Sequence, residues 1–160
     1  MNRLIISGLT RWAHSRPSIT DINIWVFDTE HKFMSDFNST FREKLLTRFS
    51  EAGDPDTAKY QQSYMKTDMP FWGVKTPQTR KIVSSLTKEY PMESPEAWVS
   101  LMDFIWTNAS RREEWYASIE ILTHAKFRKW ILPEHMDFIE KMVVEGAWWE
   151  IIDPIATHGV

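Results

Sequence analysis

The residues near the C-terminal end of the chain combine aromatic rings with carboxylates. Positions 146–153 read GAWWEIID. Residues four apart on a helix share a face, so Trp149 and Asp153 would lie side by side. An indole face beside a carboxylate can hold and stabilise a cationic group. One alternative remains open: Trp148 and the two isoleucines of this segment pack the core, Trp149 covers a neighbouring element and Asp153 is solvated.

A second candidate site lies at the start of a predicted helix in the middle of the chain, where Lys75, Thr76 and Arg80 cluster. A helix N-terminus binds anions through its free N–H groups and its dipole, and basic side chains add charge, so this cluster could contact phosphate. Arg111 and Arg112 add positive charge in the next predicted hairpin. The alternative is an ordinary capped turn whose aromatic residues pack the core.

Three acidic residues, Glu113, Glu114 and Glu120, surround Trp115 and Tyr116. This pattern is typical of a capped helix with a solvated acidic face. The functional alternative is that one of the two aromatic rings lines a cleft.

The composition argues against several kinds of chemistry. The chain has no Cys, and its 5 His lack metal-ligand spacing, so we expect neither a metal ion nor an organic cofactor. The net charge of -3 argues against a generic polyanion binder but permits a local basic face. No apolar run approaches the ~18 residues of a membrane span. The lack of Cys fits a reducing compartment, and we expect a cytoplasmic protein.

Recurrent start signals divide most of the chain into helices. They are Asp54-Pro55, Thr76-Pro77, Ser94-Pro95, the capping box at 110–113 and Pro133. Gly146 is a candidate for the position just after a helix end. Short helices with short connections pair as antiparallel hairpins. The sequence therefore predicts an all-α fold of stacked hairpins, an α-solenoid like those of HEAT or ARM repeats.

Residues 1–33 do not fit this pattern. We interpret them as an N-terminal extension, poorly ordered or loosely docked, and place the helical-repeat domain at 34–160. Ile22–Phe27 could form a short strand by β-propensity. The basic, acid-free N-terminal stretch loosely resembles a transit peptide, and the alternative is a natural start at Met34. The chain stops soon after its aromatic segment without a polar closing repeat, so we expect it to be the N-terminal part of a longer repeat domain.

Three segments resemble, in order, the AlkD-like DNA alkylation repair family. They are Tyr64-Met65-Lys66 with PFWGVKTPQTR at 70–80, REEWYA at 112–117, and WWEIID at 148–153. The last is similar to the family's WW-D-x-V-D motif, although the family usually has Asp where Glu150 stands. The similarity runs from about Phe37 to the end of the chain. It implies an all-helical stack of HEAT-like repeats with a concave, DNA-holding face.

The resemblance also implies an activity and roles for individual residues. The activity is that of a monofunctional DNA glycosylase, without a base-flipping pocket, that removes cationic alkylated purines such as 3-methyladenine and 7-methylguanine. Asp153 would be the catalytic carboxylate, Trp149 would lie against the deoxyribose of the lesion, and Thr76 would contact the DNA backbone. We expect the protein to act on double-stranded DNA as a monomer. Further expected DNA contacts are Lys75, Arg80, Arg111, Arg112 and Trp148.

The chemistry of the reaction agrees with these roles. An N3- or N7-alkylated purine is already cationic and leaves without a general acid. Cleavage then builds positive charge on the sugar, which the carboxylate of Asp153 could stabilise while it orients water and which Trp149 could face. The alternative is a catalytically inactive helical-repeat module that binds DNA or protein, since fold does not fix function. Two observations motivate this alternative of an inactive module. The net charge is negative, and the family's further Arg and Trp at the DNA face would lie beyond Val160.

Overall fold

Every regular element in the described part of the chain is helical. The computed structural model describes the backbone of residues 19–159 and the side chains of residues 32–157. Across the described backbone there is no strand, and the prediction of an all-α fold is confirmed. The α-helices are α1 Ile19–Ala52, α2 Pro55–Met65, α3 Thr76–Glu89, α4 Pro95–Thr107, α5 Arg112–Leu122, α6 Met136–Gly146 and α7 Trp149–Pro154. The 3₁₀ segments Ala125–Trp130 and Pro133–His135 precede α6, and the π-helical turn Ile155–Gly159 follows α7.

The strand predicted at Ile22–Phe27 is wrong, because these residues are part of α1. Branched and aromatic side chains favour strands only weakly, and their neighbours decide the outcome. The chain divides between Phe33 and Met34 into two units. The interpretation of residues 1–33 as a poorly ordered or loosely docked extension stays a prediction, and the N-terminal basic residues lie outside the described part.

Two of the five predicted helix starts are where the sequence places them, and two more, at α3 and α5, are displaced by one residue. Asp54 caps α2 by accepting the N–H of Thr57 at 2.7 Å, and Ser94 caps α4 by accepting that of Ala97 at 3.2 Å. At α3 the cap residue is Lys75, one position before the predicted one, and it makes no side-chain cap bond.

The last helix boundaries differ from the predicted ones by a few residues. Pro133 begins a 3₁₀ turn rather than α6 itself. Gly146 is the last residue of α6, and the left-handed residue that follows is Ala147, with φ +44°. The glycine is instead required by space, because a Cβ there would lie 2.6 Å from the Ile151 side chain.

Helix α5 is the common support of the fold. It packs against α3, α4 and α7. Trp98 of α4 and Leu122 of α5 are fully buried in the shared core, and so are Phe41, Leu45 and Phe49, which lie four residues apart on one face of α1. Each large apolar side chain that is fully buried contributes about 1.5–3 kcal/mol, so these contacts fix the elements that surround α5.

The loop between α2 and α3 is held by backbone contacts. Gly73 has φ +84°, and a Cβ there would lie 2.0 Å from the Asp54 carbonyl oxygen, so the position requires glycine. The carboxylate of Glu113 accepts the N–H groups of Trp72, Gly73 and Val74 at 2.9, 2.8 and 3.1 Å. Burial raises the pKa of Glu113, and these N–H bonds act in the opposite direction by stabilising its charged form.

The predicted solvated acidic face is therefore wrong for the first turn of α5. Glu113 and Glu114 are both fully buried. Glu114, not Glu113, closes the helix start by accepting the N–H groups of Ser110 and Arg111 at 2.7 and 3.1 Å. It also pairs with Arg42 of α1 at 2.7 Å.

No helix in the described part of the chain has both the length and the apolar character that crossing a membrane requires.

The Glu113 carboxylate should be a main determinant of stability. Glu113→Ala leaves three buried N–H groups without an acceptor, and each costs about 1–3 kcal/mol, so we expect a loss of about 3–5 kcal/mol. Glu113→Gln keeps one acceptor oxygen and should lose roughly half of that. Urea unfolding followed by circular dichroism measures both, with the exposed Glu43→Ala as control. A Glu113→Ala variant as stable as the Glu43→Ala control would contradict the assignment.

Candidate functional site

The structure brings four of the predicted site residues to one cleft. A cleft of about 500 Å³ is lined by Trp149 and Asp153 of α7 together with Thr76 and Arg80 of α3. Its other walls come from α2 and α5. A cleft of this size lies within the range of small-ligand sites.

The carboxylate and the indole of α7 are both open to solvent. Trp149 is 55% exposed, and Asp153 is exposed as well. The helix is attached from its other side by Ile151 and Ile155, which are buried. More than half of Trp149 is therefore in solvent, and both predicted chemical groups are available to a ligand.

The alternative that the rest of this segment packs the core is only partly correct. Ile151 is fully buried, but Trp148 and Ile152 are 38% and 36% exposed. Trp148 is the cap residue of α7, and its carbonyl accepts the N–H groups of Ile151 and Ile152 at 3.0 Å. Trp148 does not line the cleft. Its DNA contact stays a prediction.

Arg112 lies inside the protein rather than on its surface. Its side chain is 4% exposed and donates to Glu150 Oε1 at 2.6 Å, which joins α5 to α7. A guanidinium in this position is not available to phosphate. The position of Arg112 argues against its expected DNA contact, because Glu150 already pairs with its charge.

Arg80 lies in the cleft but is already paired. It donates to Glu120 twice, from Nε at 3.0 Å and from an Nη at 3.1 Å. Its side chain remains 67% exposed, and its pKa is raised by the hydrogen bonds and charge of Glu120. Lys75 and Thr76 are exposed at the start of α3. This part of the site presents a hydroxyl and two cations, one of which is paired with a carboxylate.

Arg111 lies at a separate cleft. Its guanidinium lies 4.1 Å from the centre of the Trp72 ring and donates to the Phe71 carbonyl at 2.6 Å. The second cleft, of about 350 Å³, is lined by Arg111, Phe71 and Trp72 with residues at the end of α1 and the start of α2. The three arginines expected to contact DNA are thus divided between two clefts and the interior.

Two tyrosines of α2 belong to the main cleft and are absent from the predicted site. Tyr60 and Tyr64 are 69% and 61% exposed, and their rings stack with centres 6.1 Å apart. Their spacing of four residues places them on one helix face. The signal available in the sequence was this pair of tyrosines at helical spacing.

Tyr116 also lines the cleft, as one of the two interpretations of its segment predicted. Burial and the nearby Glu150 charge raise its pKa to about 12. The phenol is therefore neutral at physiological pH and contributes a hydroxyl to the lining of the cleft. Its neighbour Trp115 faces the interior and stacks on Trp106.

In the described residues, no group of three or more acidic or histidine side chains is arranged to hold a metal ion. The groups that line the cleft include the carboxylate of Asp153, the ring of Trp149 and the polar side chains of Thr76 and Arg80.

Comparison with known proteins identifies the family. The family model described as DNA alkylation repair enzyme matches residues 45–160. The match covers most of the chain and includes every element that lines the cleft. The chain belongs to this family, and its role is in DNA alkylation repair. No curated protein matches the chain, and no solved structure does.

Proposed function

We propose that the chain is a DNA glycosylase that hydrolyses the N-glycosidic bond of cationic alkylated purines in double-stranded DNA. The observation that carries this proposal is the pairing of Trp149 and Asp153 on the exposed face of α7, in a cleft that also holds Thr76. The family relationship supplies the DNA substrate and the repair role. The pair itself supplies the chemistry.

The leaving group makes this chemistry feasible with few protein groups. A purine alkylated at N3 or N7 carries a positive charge, so the C1′–N bond breaks with the electron pair moving onto the base, which leaves neutral. The sugar becomes an oxocarbenium ion. The carboxylate of Asp153 stabilises that ion electrostatically, and the face of Trp149 adds a cation–π attraction. Water then adds to C1′ and loses a proton to solvent.

Affinity for the duplex would come from the α3 side of the cleft. Thr76 and Lys75 are exposed at the start of this helix, where the helix dipole favours phosphate. Contacts to phosphate hold a duplex without reading its sequence, as recognition of scattered lesions requires.

Asp153→Asn should slow base release strongly. We expect single-turnover release of 7-methylguanine from methylated duplex DNA to fall by about 100-fold or more, because a neutral amide cannot stabilise the sugar cation. Duplex affinity should stay within about twofold, since phosphate contacts lie elsewhere. Asp36→Asn makes the same chemical change at an exposed site of α1 and is the matched control.

Two outcomes would contradict the proposal. Full release by Asp153→Asn would remove the carboxylate from the mechanism. Duplex binding by the folded parent without any release would favour the alternative of a binding module without catalysis.

Lys75→Glu should weaken duplex binding without changing the chemical step. Reversal of one phosphate-contacting charge should lower affinity about three- to tenfold and reduce the salt dependence by about one ion. Lys88→Glu is the control, because it reverses an exposed charge at the other end of α3, about 20 Å away. Fluorescence anisotropy with a labelled duplex at several salt concentrations measures both. Equal effects of the two variants would contradict a contact at Lys75.

A further inference from the structure

One stack of side chains holds both ends of the segment that joins α6 to α7. Arg112 donates to Glu150 at 2.6 Å, and its guanidinium lies 4.6 Å from the centre of the Trp115 ring. Trp115 stacks on Trp106 with ring centres 4.6 Å apart. Trp106 Nε1 in turn donates to Glu145 at 2.7 Å. We call Arg112, Trp115 and Trp106 the cation–indole stack.

The segment between the two carboxylates sets the direction of α7. Ala147 is in the left-handed region with φ +44°, which few non-glycine residues adopt. Gly146 allows α6 to meet the side chain of Ile151 directly. The cation–indole stack therefore holds this turn by two hydrogen bonds, one to Glu145 before the turn and one to Glu150 after it.

The Arg112–Glu150 pair is poorly suited to a purely stabilising role. Arg112 Nε and Glu150 Oε2 are buried without a hydrogen-bond partner in the described part of the chain. Removing two charges from water is costly, and replacing such a pair by apolar residues is often neutral or stabilising. What the pair does supply is a directional bond on α7, one residue after Trp149 and three before Asp153.

We infer that Arg112 and Glu150 are positioning residues, which fix the rotation of α7 so that Trp149 and Asp153 face the cleft. The inference rests on the proposed glycosylase function. A displacement of 1 Å at a reacting centre can cost about 100-fold in rate. Phosphate contacts on α3 are independent of this rotation. Loss of the pair should therefore slow the chemical step and leave duplex affinity unchanged.

The test replaces the pair with apolar residues of similar length, Arg112→Met with Glu150→Met. The matched control is Lys141→Met with Asp103→Met, which removes another ion pair between helices, 2.7 Å long, that lies outside the cleft. Three quantities are measured for both variants and the parent: the melting temperature, the duplex affinity and the single-turnover release of 7-methylguanine.

The expected result is a folded double variant that binds duplex within about twofold of the parent and releases base about ten- to hundredfold more slowly. The control should match the parent in release. Release at the parental rate would overturn the inference, and so would a loss of affinity as large as the loss of rate.

If the double variant does not fold, the same three quantities are measured for Arg112→Lys. Lysine keeps a charge for Glu150 but has no planar face to lie on Trp115. Slower release with unchanged affinity supports a positioning role, and parental release overturns it.

A parent without glycosylase activity would defeat the proposed function but not this inference. Hydrogen exchange of residues 147–157 then decides it. Faster exchange in a folded variant of the Arg112–Glu150 pair than in the parent and the control supports the role of the pair, and unchanged exchange overturns it.

Discussion

The arrangement of this protein depends on one buried carboxylate. Glu113 gathers the N–H groups of three successive loop residues, Trp72 to Val74, on its two oxygens. Oε1 accepts all three of these N–H groups, and Oε2 also accepts that of Trp72. The loop leads directly into α3, so the position of Thr76 at the rim of the cleft follows from a bond made by α5. A nearby backbone bond, from the Arg112 N–H to the Pro70 carbonyl at 3.0 Å, fixes the start of the same loop.

Three consecutive residues at the start of α5 reach three parts of the fold. Successive helix positions are rotated by about 100°, so neighbouring side chains point in different directions. Arg112 reaches α7, Glu113 reaches the loop before α3, and Glu114 reaches Arg42 in α1. Charged residues in such a short run are usually solvated, but here they bond three separate parts of the domain to α5. The first turn of α5 therefore positions both walls of the cleft: α7, which carries the proposed chemistry, and the start of α3, which carries the proposed DNA contact.

The parts of this structure that follow from local physics could be predicted from the sequence. Caps at Asp54 and Ser94 depend on residues three apart, and the pairing of Trp149 with Asp153 depends only on helical spacing. The interior position of Arg112 could not be predicted in this way. Its partner lies 38 residues away, and burial of charge depends on packing that no short window contains. The same limit explains the wrong assignment of the following glutamates to a solvated face.

The pairing of Arg80 with Glu120 changes the thermodynamics of the proposed DNA complex. A free surface arginine that contacts phosphate displaces a condensed cation from the DNA, and the entropy of that release favours binding. Arg80 carries a tethered anion of its own, held by two hydrogen bonds. A phosphate that contacts the remaining N–H groups of this guanidinium meets a charge that Glu120 already compensates. The attraction of this contact for DNA is therefore weaker than that of a free arginine, so it favours close fit at the lesion over indiscriminate attraction to DNA.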